Sequence, residues 1–455
     1  MKDRLDRALA SADADYCEIR FEESDGTQIA FRGGEMDVAA SRKTRGGIVR
    51  ACTKGGWGSA TFDSLDVLDA QVRQACESAR LVGQDTTELA PTDPPTDAEH
   101  RAAFQRDFRG VPLDDKIRLI RGYSDRIMDT HEAIQTSMVQ YAERFRTVYF
   151  ASTEGAYFRE DRPVVLVAFA AVASDGRQIQ QAHDSAASAT DYDVACGLEE
   201  TVDDVAARAV KLLDAPQPVG GPTTVVLDPR LAGVFCHEAF GHLSEADFLY
   251  ENPKMRELMH LGRRVGVKEL NIVDDGSREG TIATRRYDDE GTPTGKTYLI
   301  RDGVLTGHLH SRQTAAKMNA TPTGNARAID KNHAPIVRMT NTCIESGDTP
   351  VDDLLAGVDD GIYACHMYGG QTMMEQFTFS AGFAYRVENG QLGELLRDVV
   401  LTGNVFQTLD NIDGFGDDGR IINAAGGCGK GGQSPLPVTF GSPHLRIRNV
   451  VVGGQ

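Results

Sequence analysis

No stretch of this 455-residue chain approaches the roughly 20 consecutive apolar residues that a membrane span requires. Its first residues, MKDRLDRALASADADY, are charged and helix-like and hold no hydrophobic signal core. These two absences predict a soluble, cytoplasmic protein with no membrane partner. Positive charge is scarce as well. The 48 Lys and Arg face 67 Asp and Glu, a formal net charge of −19, and no basic stripe occurs. Nucleic acid is excluded as a partner on that ground, because neutralising phosphates needs clustered cations. Lysine is the rarer cation, 11 against 37 arginines, and an acidic, Arg-rich surface suits a high-salt cytoplasm where repulsion is screened. Paired cysteines are missing too: the eight lie at 17, 52, 76, 196, 236, 343, 365 and 428, with no C-x-x-C. A large cytosolic chain rarely carries disulfides, so the default for each is a small buried hydrophobe.

What is present points to an α+β protein of two or three domains. In the first part, residues 63–81, 114–127 and 199–213 space their apolar residues as helices do. Strand-like runs lie at 16–21, 46–52 and 146–152, and PVVLVAFAAVA (163–173) reads as a buried strand. The Pro/Gly-rich stretch DAPQPVGGPTT (214–224) marks the best boundary. We therefore expect an N-terminal α/β domain over 1–215 and a β-rich C-terminal domain over 222–455. The latter opens with the strand TVVLDP, followed by a helix with Asp228 at its N-cap and Pro229 at N1. Further on, Asp302-Gly303 and Asn389-Gly390 each sit between strand-like runs and predict tight hairpins. A short helix is expected at 349–355.

The helix beginning near Pro229 carries His237-Glu238-Ala239-Phe240-Gly241-His242. This resembles the zinc-hydrolase motif H-E-x-x-H with one residue too many. On a regular α-helix, residues four apart diverge by about 40°, whereas residues five apart diverge by about 140°. Imidazole nitrogens in a tetrahedral zinc site must come within roughly 3.5 Å of each other. An unbroken helix would thus point His237 and His242 apart. A π-bulge, or a break at Gly241 exploiting glycine's conformational freedom, would bring them together. Without such irregularity the two histidines are ordinary buried residues.

A zinc site also needs a third protein ligand. The candidates beyond His242 are His260, His308, His310, His333, His366, His444, Cys343, Cys365 and Cys428. Cys428 stands out for its surroundings, NAAGGCGKGGQSP, where five glycines give a pliant backbone. Lys430 nearby is expected to lower its thiol pKa. That segment fails the phosphate-loop pattern, since Gly431 follows Lys430. Two other readings compete: a non-catalytic scaffold, and a thiol hydrolase built on Cys236-His237 or Cys365-His366. Adjacent side chains point apart, so a thiol dyad would need distant partners.

At these residues the chain resembles the TldD/PmbA family of metallopeptidases. HEAFGH matches that family's H-E-A-x-G-H block. YDDEGTPTG (287–295), TPTGNARA (321–328), RMTNT (338–342), YGGQ (368–371) and CGKGGQS (428–434) follow in the same order. The likeness covers most of 222–455 and is weaker before it, around 45–62. It implies a catalytic, TldD-type member with Zn2+ held by His237, His242 and Cys428, and Glu238 as the catalytic carboxylate. It further implies an N-terminal α/β domain, a β-rich C-terminal domain and a dimer enclosing the site. That dimer would be two copies, or this chain with a paralogous member, and its substrate an unfolded or small peptide. YGGQTMMEQFTFS (368–380) is a candidate wall of the peptide site. The alternative within the family is a metal-free partner subunit.

Overall fold

Very long strands organise the N-terminal half. In the computed structural model, which describes residues 1–454, Tyr16–Arg32 pairs antiparallel with Glu35–Thr53 on one side and Ile134–Ser152 on the other. The sheet continues through Tyr157–Ser174 to Ile179–Ser188, and Gly56–Phe62 closes the opposite edge. Strands of this length serve two separate apolar cores. Cys17, Ile19, Val49 and Ala51 pack with the helices Lys2–Leu9 and Leu68–Val82. Ile29, Phe31, Val139 and Tyr141 pack with Leu113–Met128 and Glu199–Asp214. The three predicted helices are therefore present, each within a few residues of its expected bounds. The predicted strands are present but far longer than expected.

Strands also dominate the C-terminal half. Asp360–Met373, Gly221–Leu227, Leu445–Gly454, Val399–Asn404 and Gln376–Glu388 pair in that order. Asp360–Met373 also pairs with Gln376–Glu388, so the ring of five strands closes on itself. Closure leaves no free edge among the five. A second sheet of six strands has Ile272–Asp275, Asn341–Ile344 and Thr439–Ser442 at its centre. Both predicted hairpin turns form, with positive φ at Asp302, Gly303, Asn389 and Gly390, as type I′ geometry demands. The short helix forms at Val351–Ala356. The chain is thus α+β with a β-rich C-terminal region.

The motif helix lies between these two sheets. Asp228 caps it, its carboxylate accepting the Leu231 N–H at 2.7 Å, and Pro229 opens Pro229–Phe235. Phe235 meets Phe377 and Phe379 of the closed sheet edge-on, with ring centroids 5.3 and 6.1 Å away. On the other side Gly233 lies so close to Phe440 and Gly441 that a Cβ would approach Phe440 to 2.8 Å. With both faces held, the helix axis is fixed where the motif begins.

Candidate metal centre

After Phe235 the winding changes. Cys236–Gly241 is π-helical and His242–Ser244 is a 3₁₀ turn. The His242 N–H donates to the His237 carbonyl, five residues back, the hydrogen bond that defines a π-turn. Residues five apart then share a face. The imidazole centroids of His237 and His242 are 5.2 Å apart, with ring planes at 83°. The helix irregularity that the spacing demanded is therefore present.

Glycine's part in it differs from expectation. Gly241 keeps helical angles, φ −56° and ψ −47°, so its conformational freedom is not used. It is needed for room: a Cβ there would lie 2.1 Å from the Met339 sulfur, which is fully buried. Gly241→Ala forces Met339 to move within a closed core. We expect a loss of about 1–3 kcal/mol of stability, read from the shift of a denaturant midpoint. An unchanged midpoint would mean that Met339 turns aside at no cost.

Cys428 reaches the histidines from near the far end of the chain. It begins the strand Cys428–Lys430, which forms a tight hairpin with Gln433–Leu436. A fully buried Arg338 holds the hairpin, donating to the Cys428 carbonyl at 2.6 Å and the Gln433 carbonyl at 3.1 Å. The glycine-rich segment is therefore anchored at this point by a buried guanidinium. Donor atoms of His237, His242 and Cys428 all lie within 4.8 Å of one another. Among the described residues no other group of three His, Cys, Asp or Glu converges in this way.

The remaining candidates go elsewhere. His308 Nε2 is 2.8 Å from the Met259 carbonyl, His333 pairs with Asp330, and His444 bridges Asp418 and Tyr363. Burial pushes the thiols of Cys236 and Cys365 well above the ordinary range, which removes the nucleophile a thiol hydrolase would need there.

Within the trio, the sulfur and the imidazoles each favour the other's charged form. Cys428 Sγ lies 3.3 Å from His242 Nε2. Burial acts to raise the Cys428 pKa, but the two imidazoles beside the sulfur outweigh it and hold the thiol at about 5. Burial likewise opposes charge on His242, and Cys428 and Glu245 override it, lifting the imidazole to about 11. The imidazoles supply the largest lowering of the thiol pKa, and the Lys430 ammonium is held by carboxylates, Glu245 at 2.9 Å and Asp247 at 2.6 Å.

Glu245 escaped the sequence reading. It is buried and lies 3.0 Å from His242 Nδ1, leaving Nε2 to face the sulfur. A carboxylate on the rear nitrogen of a ligating histidine fixes its orientation and raises its basicity. The signal in the sequence was only a carboxylate three residues after a histidine, next to the 3₁₀ turn.

Glu238 points the other way. Its side chain is partly exposed and lines a cavity of about 220 Å3 together with Phe248, Thr372, Met374 and Lys430. One carboxylate oxygen lies 3.8 Å from His242 Nε2. Thr372 and Met374 come from the tip of the hairpin proposed as a wall, so that segment does border the cavity.

The residues fit a zinc ion. His237 is 3 % exposed and neither ring nitrogen has a hydrogen-bond partner, a costly state for a buried imidazole. Two imidazoles and a low-pKa thiolate are the donor set that zinc favours.

Comparison with known proteins places the chain in a family. The C-terminal domain of the PmbA/TldA metallopeptidases matches residues 220–454, their domain 1 matches 17–81, and their central domain matches 106–215. The chain belongs to the TldD/PmbA metallopeptidase family. It is 46 % identical to a metalloprotease of Synechocystis sp. over 97 % of this chain and 95 % of that one. A zinc metalloprotease TldD homolog of Saccharolobus solfataricus is 30 % identical over 75 % of this chain and 76 % of its own length. The crystal structure of TldE from Thermococcus kodakarensis superposes with a TM-score of 0.78 at 16 % identity, each chain covered completely, which shows the shared fold. Among the described residues no helix of this TldD/PmbA member is long and apolar enough to cross a membrane.

Proposed function

We propose that the chain is a zinc-dependent peptidase in which His237, His242 and Cys428 hold the metal and Glu238 is the catalytic carboxylate. The observation that carries this reading is the convergence of three donors across a π-turn, beside a cavity that Glu238 lines. Two neutral imidazoles and one thiolate would leave the centre with a net charge of about +1. When bound there, zinc supplies Lewis acidity that acidifies water and polarises a carbonyl.

The chain's own residues do the rest. Cys428 gives up its proton readily because both imidazoles stabilise the thiolate. Glu245, itself fixed by Lys430, keeps the His242 ring oriented. Glu238 takes the proton of the attacking water on its carboxylate and returns it to the leaving amine. Met373 is 73 % exposed and Met374 41 % exposed beside the cavity. This apolar tip supports a dimer, of two copies or with a paralogue, that covers the site and admits only unfolded or small peptides. The intact donor set speaks against a metal-free scaffold subunit.

The test is hydrolysis of an unstructured protein such as casein by the purified chain. We expect cleavage that a chelator abolishes and added zinc restores. Cleavage indifferent to the chelator would overturn the assignment.

A further inference from the structure

A second cavity, of about 320 Å3, lies where the N-terminal sheet meets the C-terminal half. It shares no lining residue with the cavity beside Glu238. Six arginines line it against three carboxylates, in a chain whose net charge is −19. The carboxylates are already engaged. Asp161 accepts from Thr147 and pairs with Arg159, Glu160 with Arg162, and Glu279 with Arg286.

Three guanidinium groups keep donors that no partner takes up. The half-buried Arg144 guanidinium has no hydrogen-bond or ion-pair partner among the described residues, and lost hydration together with repulsion from Arg146 holds it down at about 10. Arg146, 3 % exposed, donates Nη1 to the Ile329 carbonyl and reaches Glu22 only at 3.5 Å, while its Nε has no partner. Arg285, 4 % exposed, has both Nε and Nη1 unpartnered. Its carboxylate neighbour Asp289 stands 3.9 Å away and is committed to Arg162 at 2.5 Å. Arg146 and Arg162 are also direct cross-strand partners, and Arg144 lies two residues along on the same face. Like charges placed opposite each other destabilise a sheet, and buried donors left unmet are costly. An anion in the cavity would relieve both.

We propose that this cavity binds an oxyanion of the phosphate class, free or as the phosphoryl group of a small molecule, through Arg144, Arg146 and Arg285. A phosphoryl group at neutral pH carries about −1.5 to −2 charge and three strong acceptor oxygens, which suits three guanidinium donors better than a single carboxylate does. The volume is about ten times a water molecule's share, leaving room for more than the anion alone. Arg144 and Arg146 belong to the N-terminal sheet and Arg285 to the C-terminal half, so the ligand would tie the two together.

Isothermal titration calorimetry on the zinc-loaded full chain tests this, with inorganic phosphate as probe and glucose 6-phosphate, acetate and chloride as arms at matched ionic strength. We expect saturable phosphate binding at one site per chain. Arg144→Gln, a change at a partly exposed and unpartnered side chain, should weaken it at least tenfold with the circular dichroism spectrum unchanged. Arg285→Gln should do the same. Binding should survive Cys428→Ser, which separates this cavity from the metal centre. Tighter binding of glucose 6-phosphate would assign the ligand as a phosphoryl ester, and weaker binding as free phosphate. The proposal fails if phosphate gives no saturable heat beyond chloride, if acetate binds as tightly, if Arg144→Gln binds unchanged, or if Cys428→Ser abolishes binding.

Discussion

Cys428→Ser is expected to strip the chain of zinc. Serine preserves the size of the side chain but keeps its proton at neutral pH, whereas the Cys428 thiol is held at about 5 by the neighbouring imidazoles. One charged soft ligand is thereby exchanged for a neutral hard one. Loss of an outer-shell partner alone typically costs 10–100-fold in metal affinity, so loss of this inner ligand should cost more. Metal analysis after dialysis should fall from about one zinc per chain to a small fraction, and peptide hydrolysis should fall with it. The hairpin that carries Cys428 is held through its carbonyls by Arg338, not through the sulfur, so the fold should persist. A Cys428→Ser protein that kept a full zinc complement through dialysis would remove the thiol from the ligand set.

Much of the architecture could be read in the sequence where pattern and packing agree. Amphipathic spacing located the helices at Leu68–Val82, Leu113–Met128 and Glu199–Asp214 because each buries one stripe against the sheet. The Asp-Gly and Asn-Gly pairs located turns because few other residues accept positive φ. Strand length was not legible, for a physical reason. The first eleven residues of Glu35–Thr53 are almost all exposed, so nothing alternates, and they are held by pairing with Tyr16–Arg32 alone. The candidate centre was legible in outline, since five-residue spacing of two histidines demands a π-turn if they are to meet. Its supporting residues were not. The contact of Gly241 with Met339, the hold of Arg338 on the Cys428 hairpin and the pairing of Lys430 with Glu245 all join segments far apart in sequence. Residue type left nine candidates for the third ligand; the glycine-rich surroundings favoured Cys428, and resemblance to a family implied the same residue.

Glu238→Gln should separate metal binding from catalysis. The substitution keeps shape and hydrogen-bonding length but removes the ability to accept a proton. Glu238 is partly exposed and borders the open cavity, so stability should change by no more than about 0.5 kcal/mol. Zinc content should equal that of the unaltered chain, because His237, His242 and Cys428 are untouched. Hydrolysis should fall by about 10²–10⁴-fold, the usual contribution of a positioned general base, with the loss in kcat. A second carboxylate stands close by, yet it cannot substitute. Glu245 is 1 % exposed and bound to both His242 and Lys430, behind the imidazole instead of beside the sulfur. Asp247 is likewise tied to Lys430. If the Gln variant retained both its zinc and its full hydrolytic rate, proton transfer would have to be assigned away from Glu238, and no other unengaged carboxylate lines that cavity among the described residues.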